Sequence, residues 1–258
     1  MDLELAGKRA LITGSYRGTG LIIAAHLARE GATVYVHGFT RQQADAALDE
    51  LGTGHAVYGD ITTDPGAAEV CHQLADQTVD ILVNNYGTAD PGSWESAATQ
   101  PWLDAYQKNV LSAQRMTTAL LPGMRERGWG RIINIGTVGS TEPNARNPQY
   151  YAAKGALATM TVSLAKETAH TGVRVNLVSP GLILTPEVRD HLSARAQRKG
   201  WGEQWDEIEA AAAADIPIGR ITRREEVADL VAFLASPLAD AIHGQNIKID
   251  GGALGIVT

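Results

Sequence analysis

Short apolar runs of strand type alternate along the chain with longer stretches in which apolar residues recur at helical spacing. Helical patterns at 42–51, 67–77, 102–127, 150–168 and 225–235 separate strand-type runs at 8–13, 33–37, 55–58, 80–84, 131–135, 173–178 and 246–249. This alternation is typical of βαβ units and predicts an α/β fold with a parallel, doubly wound sheet. We find no linker-like stretch or repeat, so we predict a single domain over 1–258.

A glycine-rich segment follows the first apolar run. Gly14, Gly18 and Gly20 lie between that run and a helical pattern that continues to Gly31. Glycines permit a tight turn and let the backbone approach a diphosphate without a Cβ in the way. The helix start adds free N–H groups and the positive end of a dipole. Strand, glycine turn and helix together predict a dinucleotide-binding site.

A second pattern involves a phenol, an ammonium and a hydroxyl. Tyr150 and Lys154 are four positions apart in a predicted helix, and Thr137 lies thirteen positions before Tyr150. Positions four apart share a helix face, so we expect Lys154 to lower the pKa of the phenol from about 10. Such a phenol can pass a proton as a general acid or base. The alternative for the pair alone is two side chains on a solvated helix face.

Together these motifs resemble the short-chain dehydrogenase/reductase family. The segments that carry the resemblance follow the family's order along essentially the whole chain: Thr13-Gly14-x-x-x-Gly18-x-Gly20, Asn84-Asn85-Tyr86-Gly87, Lys108-Asn109-Val110, Tyr150-x-x-x-Lys154, Pro180-Gly181-x-x-x-Thr185 and Asp250-Gly251-Gly252. Two positions depart from the family pattern, because Thr137 stands where Ser is usual and Tyr86 where Ala is usual. Thr137 keeps the hydroxyl but adds a methyl group, and Tyr86 places a bulky ring beside the cofactor region.

The resemblance implies a Rossmann-type sheet of seven strands, a homotetramer, and hydride transfer between a nicotinamide cofactor and a carbonyl or secondary alcohol. Tyr150 would be the acid/base group, and Thr137 would hold the substrate oxygen. Lys154 would also bind the nicotinamide ribose, and Asn109 would support a water that relays protons to it. Tyr150 and Lys154 would contact the cofactor, as would other residues that the resemblance implies: Gly14, Tyr16, Gly18, Gly20, Asp60, Ile61, Asn85, Gly87, Pro180, Gly181, Ile183 and Thr185.

Neighbouring residues compete for two of these roles, and a third residue has an alternative role. Tyr151 lies three positions before Lys154, and Ser140 is a second hydroxyl close to Thr137. The thirteen-residue and four-residue steps favour Thr137 and Tyr150 over them. Asp60 resembles an adenine-contacting residue, and it is equally consistent with a turn or helix cap before the next helix.

The end of the second strand bears on which nicotinamide cofactor is bound. An acid there binds the ribose 2′-hydroxyl and repels a 2′-phosphate, but this chain has Gly38. Arg17 and Arg41 could both meet a phosphate, and Thr40 could add a hydroxyl donor. We therefore predict NADP(H) in preference to NAD(H), although Phe39 stands where many NADP-dependent relatives have Arg. The alternative is that both arginines are ordinary solvated loop charges.

Composition and spacing argue against several other functions. The 258 residues are 44% apolar with a net charge of −7, and the absence of a basic stripe argues against a nucleic-acid partner. No apolar run approaches the roughly 20 residues of a membrane span, and the acidic N-terminus is unlike a signal peptide, so we expect a cytoplasmic protein. The histidines show no metal-binding spacing, and no serine has the flanking glycines of a hydrolase elbow.

The segment at about 186–216 is expected to cover a small-molecule substrate. It consists of two helical patterns divided by Gly200-Trp201-Gly202. His191, Arg195 and Arg198 fall on one helix face, which could meet an acidic carrier or a thioester tail but is more often simply solvated.

Three functions are therefore open. The first is an NADP(H)-dependent carbonyl reductase or alcohol dehydrogenase, and a narrower version of it is a 3-oxoacyl-thioester reductase. The third is a non-catalytic dinucleotide-sensing protein on the same fold. The presence of Asn109, Tyr150 and Lys154 disfavours the third.

Overall fold

The computed structural model of the protein describes residues 2–74, 77–95 and 98–256. The strands are β1 (Arg9–Ile12), β2 (Thr33–Gly38), β3 (His55–Tyr58), β4 (Ile81–Asn84), β5 (Gly130–Ile135), β6 (Val173–Pro180), β7 (Ile183–Leu184), β8 (Thr222–Arg223) and β9 (Asn246–Ile249). Seven of them form one parallel sheet in the order β3-β2-β1-β4-β5-β6-β9. The prediction of a seven-stranded, doubly wound α/β fold is confirmed.

Helices cover both faces of this sheet. They are α1 (Gly18–Arg29), α2 (Arg41–Leu51), α3 (Asp64–Gln73), α4 (Thr99–Tyr106), α5 (Ser112–Glu126), α6 (Pro148–Glu167), α7 (Pro186–Lys199), α8 (Trp205–Ala212) and α9 (Arg224–Ala235). Successive side chains of a strand point to opposite faces, so Ala10 and Ile12 pack with α1 and α9. Leu11, between them, packs with Val70 of α3 and Met116 of α5. Burial on both faces explains why the strands appear as continuous apolar runs.

Two predicted helices differ from the observed ones. The helix expected at 67–77 begins at Asp64, because the Thr63 hydroxyl caps it by accepting from the Gly66 N–H at 3.2 Å. It ends at Gln73, and positions 75 and 76 of the prediction lie outside the described residues. The helix expected at 102–127 begins at Thr99 and is divided by a π-helical turn, Gln107–Leu111.

The segment after β6 forms a small unit of its own. β7 pairs with β8 in a separate two-stranded ribbon that the sequence did not predict. The predicted division of the following helices is present, since α7 ends at Lys199 and is capped by Gly200, whose φ of +67° suits glycine. No helix in the described parts of the chain is long and apolar enough to cross a membrane.

Candidate active site

A cavity of about 700 Å³ opens beyond the carboxyl ends of β1, β4, β5 and β6. Parallel strands end at one edge of the sheet, so the loops that follow them meet there. Most of the positions predicted from the sequence lie on its wall: Gly14, Tyr16, Arg17, Gly18, Gly20, Asn85, Gly87, Thr137, Tyr150, Lys154, Pro180, Gly181, Ile183 and Thr185. Glu187, which the sequence did not single out, also lines it.

The glycine loop has the shape that a dinucleotide requires. Gly14 has φ +63°, and a Cβ there would lie 3.0 Å from the Cβ of Tyr86. A Cβ on Gly20 would lie 2.5 Å from Nδ2 of Asn85, so the backbone approaches its neighbours more closely than any side chain allows. Helix α1 has no side-chain N-cap and no acid in its first turn. Its N-terminus is therefore suited to a diphosphate.

Two predicted cofactor residues, Thr40 and Arg41, lie outside the wall of this cavity. Thr40 caps α2, and its hydroxyl oxygen accepts from the Gln43 N–H at 3.3 Å, which leaves its own hydrogen free to donate. The Arg41 guanidinium lies over the ring of Tyr58, 5.3 Å from the centroid. Both side chains sit just past the end of β2, beside the glycine loop rather than within the cavity.

Asp60 and Ile61 also lie outside the cavity wall. The carboxylate of Asp60 accepts from the Thr62 N–H at 3.0 Å and from the Thr62 hydroxyl at 2.6 Å, so it shapes a turn. The side chain of Ile61 is fully buried in the core that faces α3. The structure shows no exposed part of Ile61, and its contact with a cofactor stays a prediction.

His37 is a functional candidate that the sequence did not reveal. Its buried imidazole accepts from the Gly14 N–H through Nδ1 at 2.9 Å and donates from Nε2 to the Gly59 carbonyl at 2.9 Å. Its backbone N–H donates to the Ser15 hydroxyl, and its carbonyl accepts from Tyr16 N–H. Burial lowers the pKa of His37 to about 4, which keeps the ring neutral. The glycine loop is thus held by a neutral imidazole that joins the ends of three strands.

Replacing His37 by Leu is expected to raise the dissociation constant for the cofactor about tenfold, because a buried N–H left without an acceptor costs about 1–3 kcal/mol. His37→Gln can both accept and donate, so we expect its dissociation constant within about threefold of the parent. Calorimetric titration of both variants measures this. If both variants weakened cofactor binding equally, the imidazole would act only by filling space.

The phenol of Tyr150 and the hydroxyl of Thr137 are neighbours at the wall of the cavity. Burial, together with the neighbouring Tyr151, raises the pKa of Tyr150 to about 12, and the Thr137 hydroxyl only partly opposes this. The predicted lowering of that pKa by Lys154 is therefore wrong. The reason is that the Lys154 ammonium points to the Ile135 carbonyl oxygen, to which it donates at 2.7 Å.

Lys154 and Asn109 converge behind Gly87. A Cβ on Gly87 would lie 2.5 Å from Oδ1 of Asn109 and 2.9 Å from Nζ of Lys154. Asn109 sits in the π-helical turn, where its Nδ2 donates to the carbonyls of Ala105 and Thr88, each at 3.0 Å. Such turns are frequent at functional sites because they redirect a side chain. Burial lowers the pKa of Lys154 to about 8.

The competing residues face elsewhere. Tyr151 and Ser140 line a different cavity, and neither lies on the wall shared by Tyr150 and Thr137. The Tyr151 hydroxyl accepts from Asn144 at 2.8 Å, and the Ser140 hydroxyl donates to the Thr137 carbonyl at 2.7 Å. The geometry thus favours Tyr150 and Thr137, as the sequence spacing did.

Comparison with known proteins identifies the family. The family model described as "Enoyl-(Acyl carrier protein) reductase" matches residues 14–253. The chain belongs to the short-chain dehydrogenase/reductase family.

Relatives of this short-chain dehydrogenase/reductase are oxidoreductases. The uncharacterized oxidoreductase YvaG of Bacillus subtilis is 37% identical, with 98% of each chain covered. A 3-oxoacyl-[acyl-carrier-protein] reductase, FabG of Vibrio cholerae, is 37% identical over 97% of this chain and 98% of its own. The structure of L-sorbose reductase from Gluconobacter frateurii, complexed with NADPH and L-sorbose, has a TM-score of 0.91 and 32% identity over the whole of both chains.

Within this family, Tyr86 is the departure that most changes the site. Its ring packs edge-on against Phe39, with centroids 4.7 Å apart, and Phe39 in turn contacts Tyr16 and His37. Burial raises the pKa of Tyr86 to about 12, so its hydroxyl stays protonated. The bulky ring is therefore accommodated by an aromatic cluster beside the glycine loop, and Phe39 belongs to that cluster.

Proposed function

We propose that the protein is an NADP(H)-dependent oxidoreductase that interconverts a carbonyl compound and a secondary alcohol. The observation that carries this proposal is a single cavity with the glycine loop and the N-terminus of α1 at one side and the Tyr150–Thr137 pair with Lys154 at the other. A dinucleotide whose diphosphate rests on the loop would extend its nicotinamide towards the phenol.

When bound, the nicotinamide supplies the hydride that adds to the carbonyl carbon. Thr137 holds the substrate oxygen by a hydrogen bond, and Tyr150 gives that oxygen its phenolic proton. With a pKa of about 12 the phenol is protonated at neutral pH, so it can serve as the acid when the carbonyl is reduced. Lys154 binds the nicotinamide ribose and returns a proton to the phenol, through a water that Asn109 supports.

The end of β2 supports NADP(H) over NAD(H). A Cβ on Gly38 would lie 2.7 Å from the backbone nitrogen of Ala44, so no carboxylate can stand there to repel a 2′-phosphate. Arg17 lies on the cavity wall, and Arg41 and Thr40 lie just past the strand. The structural neighbour L-sorbose reductase is complexed with NADPH.

Replacing Arg17 and Arg41 together by Ala is expected to lower the preference for NADPH over NADH about 100-fold. Hydrogen bonds to charged groups contribute about 1.5–3 kcal/mol each, and this chain would lose two such donors. The ratio of kcat/KM for the two cofactors measures the preference. Arg29→Ala, which removes an exposed arginine at the far end of α1, should leave the ratio unchanged. An unchanged ratio in the double variant would refute the phosphate assignment.

Turnover over a panel of substrates, each with both cofactors, tests the proposed function. The panel contains ketones, keto sugars, 3-oxoacyl thioesters and secondary alcohols, followed by the absorbance of the reduced nicotinamide. Oxidation of NADPH by at least one carbonyl compound is the expected result. The 3-oxoacyl-thioester reductase remains a second candidate, since FabG of Vibrio cholerae is 37% identical. Turnover restricted to thioesters would favour it.

We also propose that α7 and α8 cover the substrate. α7 begins directly after Thr185, and both Thr185 and Glu187 line the cavity. The two helices share a small apolar core that includes Leu192 and Ile208. They can therefore move as one unit over the site, excluding water from the reaction.

A homotetramer is proposed with α4 and α6 at an interface. Leu103 and Tyr106 of α4 are 54% and 44% exposed, and Val162 of the adjacent α6 is 43% exposed. Exposed apolar side chains grouped on neighbouring helices are typical of protein interfaces. Val162→Asp is expected to yield smaller species, measured by light scattering after size exclusion. An unchanged mass would move the interface elsewhere.

A further inference from the structure

A second cavity, of about 500 Å³, is lined entirely by basic side chains. Four of them lie on α7 at positions that share one helix face, and the fifth comes from the loop that leads into α6. These residues, which we call the cationic cavity, are Arg146, His191, Arg195, Arg198 and Lys199. The stripe on α7 alone would be an ordinary solvated face, but Arg146 encloses it from a separate element.

The charges of the cationic cavity are not neutralised by the protein. None of its five side chains makes an ion pair with a carboxylate in residues 2–74, 77–95 or 98–256. The chain has 29 acidic against 22 basic residues, so carboxylates are not scarce. Other arginines of the chain do pair with them, as Arg220 does with Glu226 at 2.7 Å. All five residues are exposed, so solvent screens their charges, and an anion that binds among them has no protein carboxylate to displace.

The cationic cavity shares two elements with the proposed active site. Arg146 lies four residues before Tyr150, just outside the start of α6. Glu187, in the first turn of α7, lines the catalytic cavity. At a rise of about 1.5 Å per residue, His191 lies about 6 Å and Arg198 about 16 Å further along that helix. The two cavities share no lining residue, and α7 runs from one to the other, so it marks the path along which a substrate with its carbonyl at Tyr150 would extend towards these basic side chains.

We propose that the cationic cavity binds a phosphate group carried by the substrate, at the end remote from its carbonyl. This inference rests on the proposed function. The three guanidinium groups offer planar, paired donors that match phosphate oxygens, and a doubly charged anion neutralises more of this charge than one carboxylate does. Arg195 is already oriented, because its guanidinium lies over the Trp201 ring, 4.9 Å from the centroid. The substrate class is thus a phosphorylated carbonyl compound.

Calorimetric titration with inorganic pyrophosphate tests this inference. The protein is first saturated with NADPH, so that pyrophosphate does not enter the glycine loop. We expect binding to the parent protein, and a dissociation constant at least about tenfold higher in the Arg195→Gln/Arg198→Gln variant. Arg189→Gln is the matched control, because Arg189 lies on the same helix but stacks over Trp205 outside the cavity. It should change the constant less than about twofold.

Two outcomes would overturn the inference. One is no binding of pyrophosphate at concentrations on the order of 1 mM. The other is a loss of pyrophosphate affinity in Arg189→Gln as large as that in the Arg195→Gln/Arg198→Gln variant, which would reveal only a general effect of net charge. Tyr150→Phe should bind pyrophosphate as the parent does. If the parent protein binds pyrophosphate but shows no turnover, only the proposed function is contradicted. If it turns over substrate but does not bind pyrophosphate, only the cationic cavity is contradicted.

Competition experiments identify the source of the phosphate. Displacement of pyrophosphate by coenzyme A, more effectively than by fructose 6-phosphate, would indicate a thioester substrate. The reverse order would indicate a phosphorylated keto sugar. Displacement of pyrophosphate by either compound supports a phosphate site in the cationic cavity. If neither compound displaced it, the cavity would not be a site for substrate.

Discussion

Replacing Tyr150 by Phe is expected to lower kcat about 10³-fold while leaving the dissociation constant for the cofactor within about twofold. The substitution removes the only proton that the phenol can give to the substrate oxygen, and it keeps the ring that fills the wall of the cavity. The proposed hydrogen bond from the phenol to the substrate oxygen is lost as well, so substrate affinity should also fall. Steady-state kinetics and a cofactor titration separate the two effects.

Tyr151→Phe is the matched control for this experiment. The two tyrosines are adjacent in α6, but the Tyr151 hydroxyl accepts from Asn144 and lies at a different cavity. We expect the control to keep most of the parent's kcat. If Tyr150→Phe were as active as Tyr151→Phe, Tyr150 could not be the proton donor.

Replacing Lys154 by Met is expected to reduce kcat/KM about 10³-fold and to weaken cofactor binding, because the buried ammonium is proposed to bind the nicotinamide ribose. Burial lowers the pKa of Lys154 from 10.5 to about 8. The ammonium is therefore charged below pH 8 and neutral above it, so kcat/KM of the parent should fall as the pH rises through about 8. A profile of kcat/KM against pH measures this.

Stability should change in the opposite sense. A folded-state pKa below 10.5 means that the unfolded chain holds the proton more tightly. Below pH 8 the buried ammonium thus costs about 3 kcal/mol of folding free energy, and this cost fades as the pH rises towards 10.5. Lys154→Met should accordingly unfold no more easily than the parent at pH 7. Lys166→Met, on the exposed side of α6, is the control for both measurements. A flat pH profile in the parent would contradict the role of Lys154.

Much of the fold could be predicted because its signals are local. The strands are buried on both sides, so each appears in the sequence as an apolar run. The glycine loop joins the first strand to α1, whose N-terminus has no side-chain cap. Helix ends were less predictable, since α3 begins at a capping threonine and not at its first apolar residue. The π-helical turn at Asn109 leaves no mark in the periodicity, because one extra residue disturbs it only slightly.

The parts of the site that escaped prediction depend on contacts between distant residues. His37 lies in a strand, and only the fold brings Gly14 and Gly59 to its two nitrogens. The direction in which the Tyr150 pKa moves was predicted wrongly, because sequence spacing gives a shared helix face but not the Ile135 carbonyl that draws the ammonium away. Arg146 and His191 line the same cationic cavity, although they are forty-five positions apart in the sequence.

The most direct measurement of the central claim uses NADPH deuterated at the transferable position of the nicotinamide. The purified protein is incubated with this cofactor and the carbonyl panel, and the products are examined by mass spectrometry. The proposed function predicts an alcohol that carries one deuterium at the former carbonyl carbon, formed about 10³-fold more slowly when Tyr150→Phe replaces the parent. Tight binding of NADPH with no labelled alcohol from any carbonyl compound would contradict it and favour a non-catalytic dinucleotide-sensing protein.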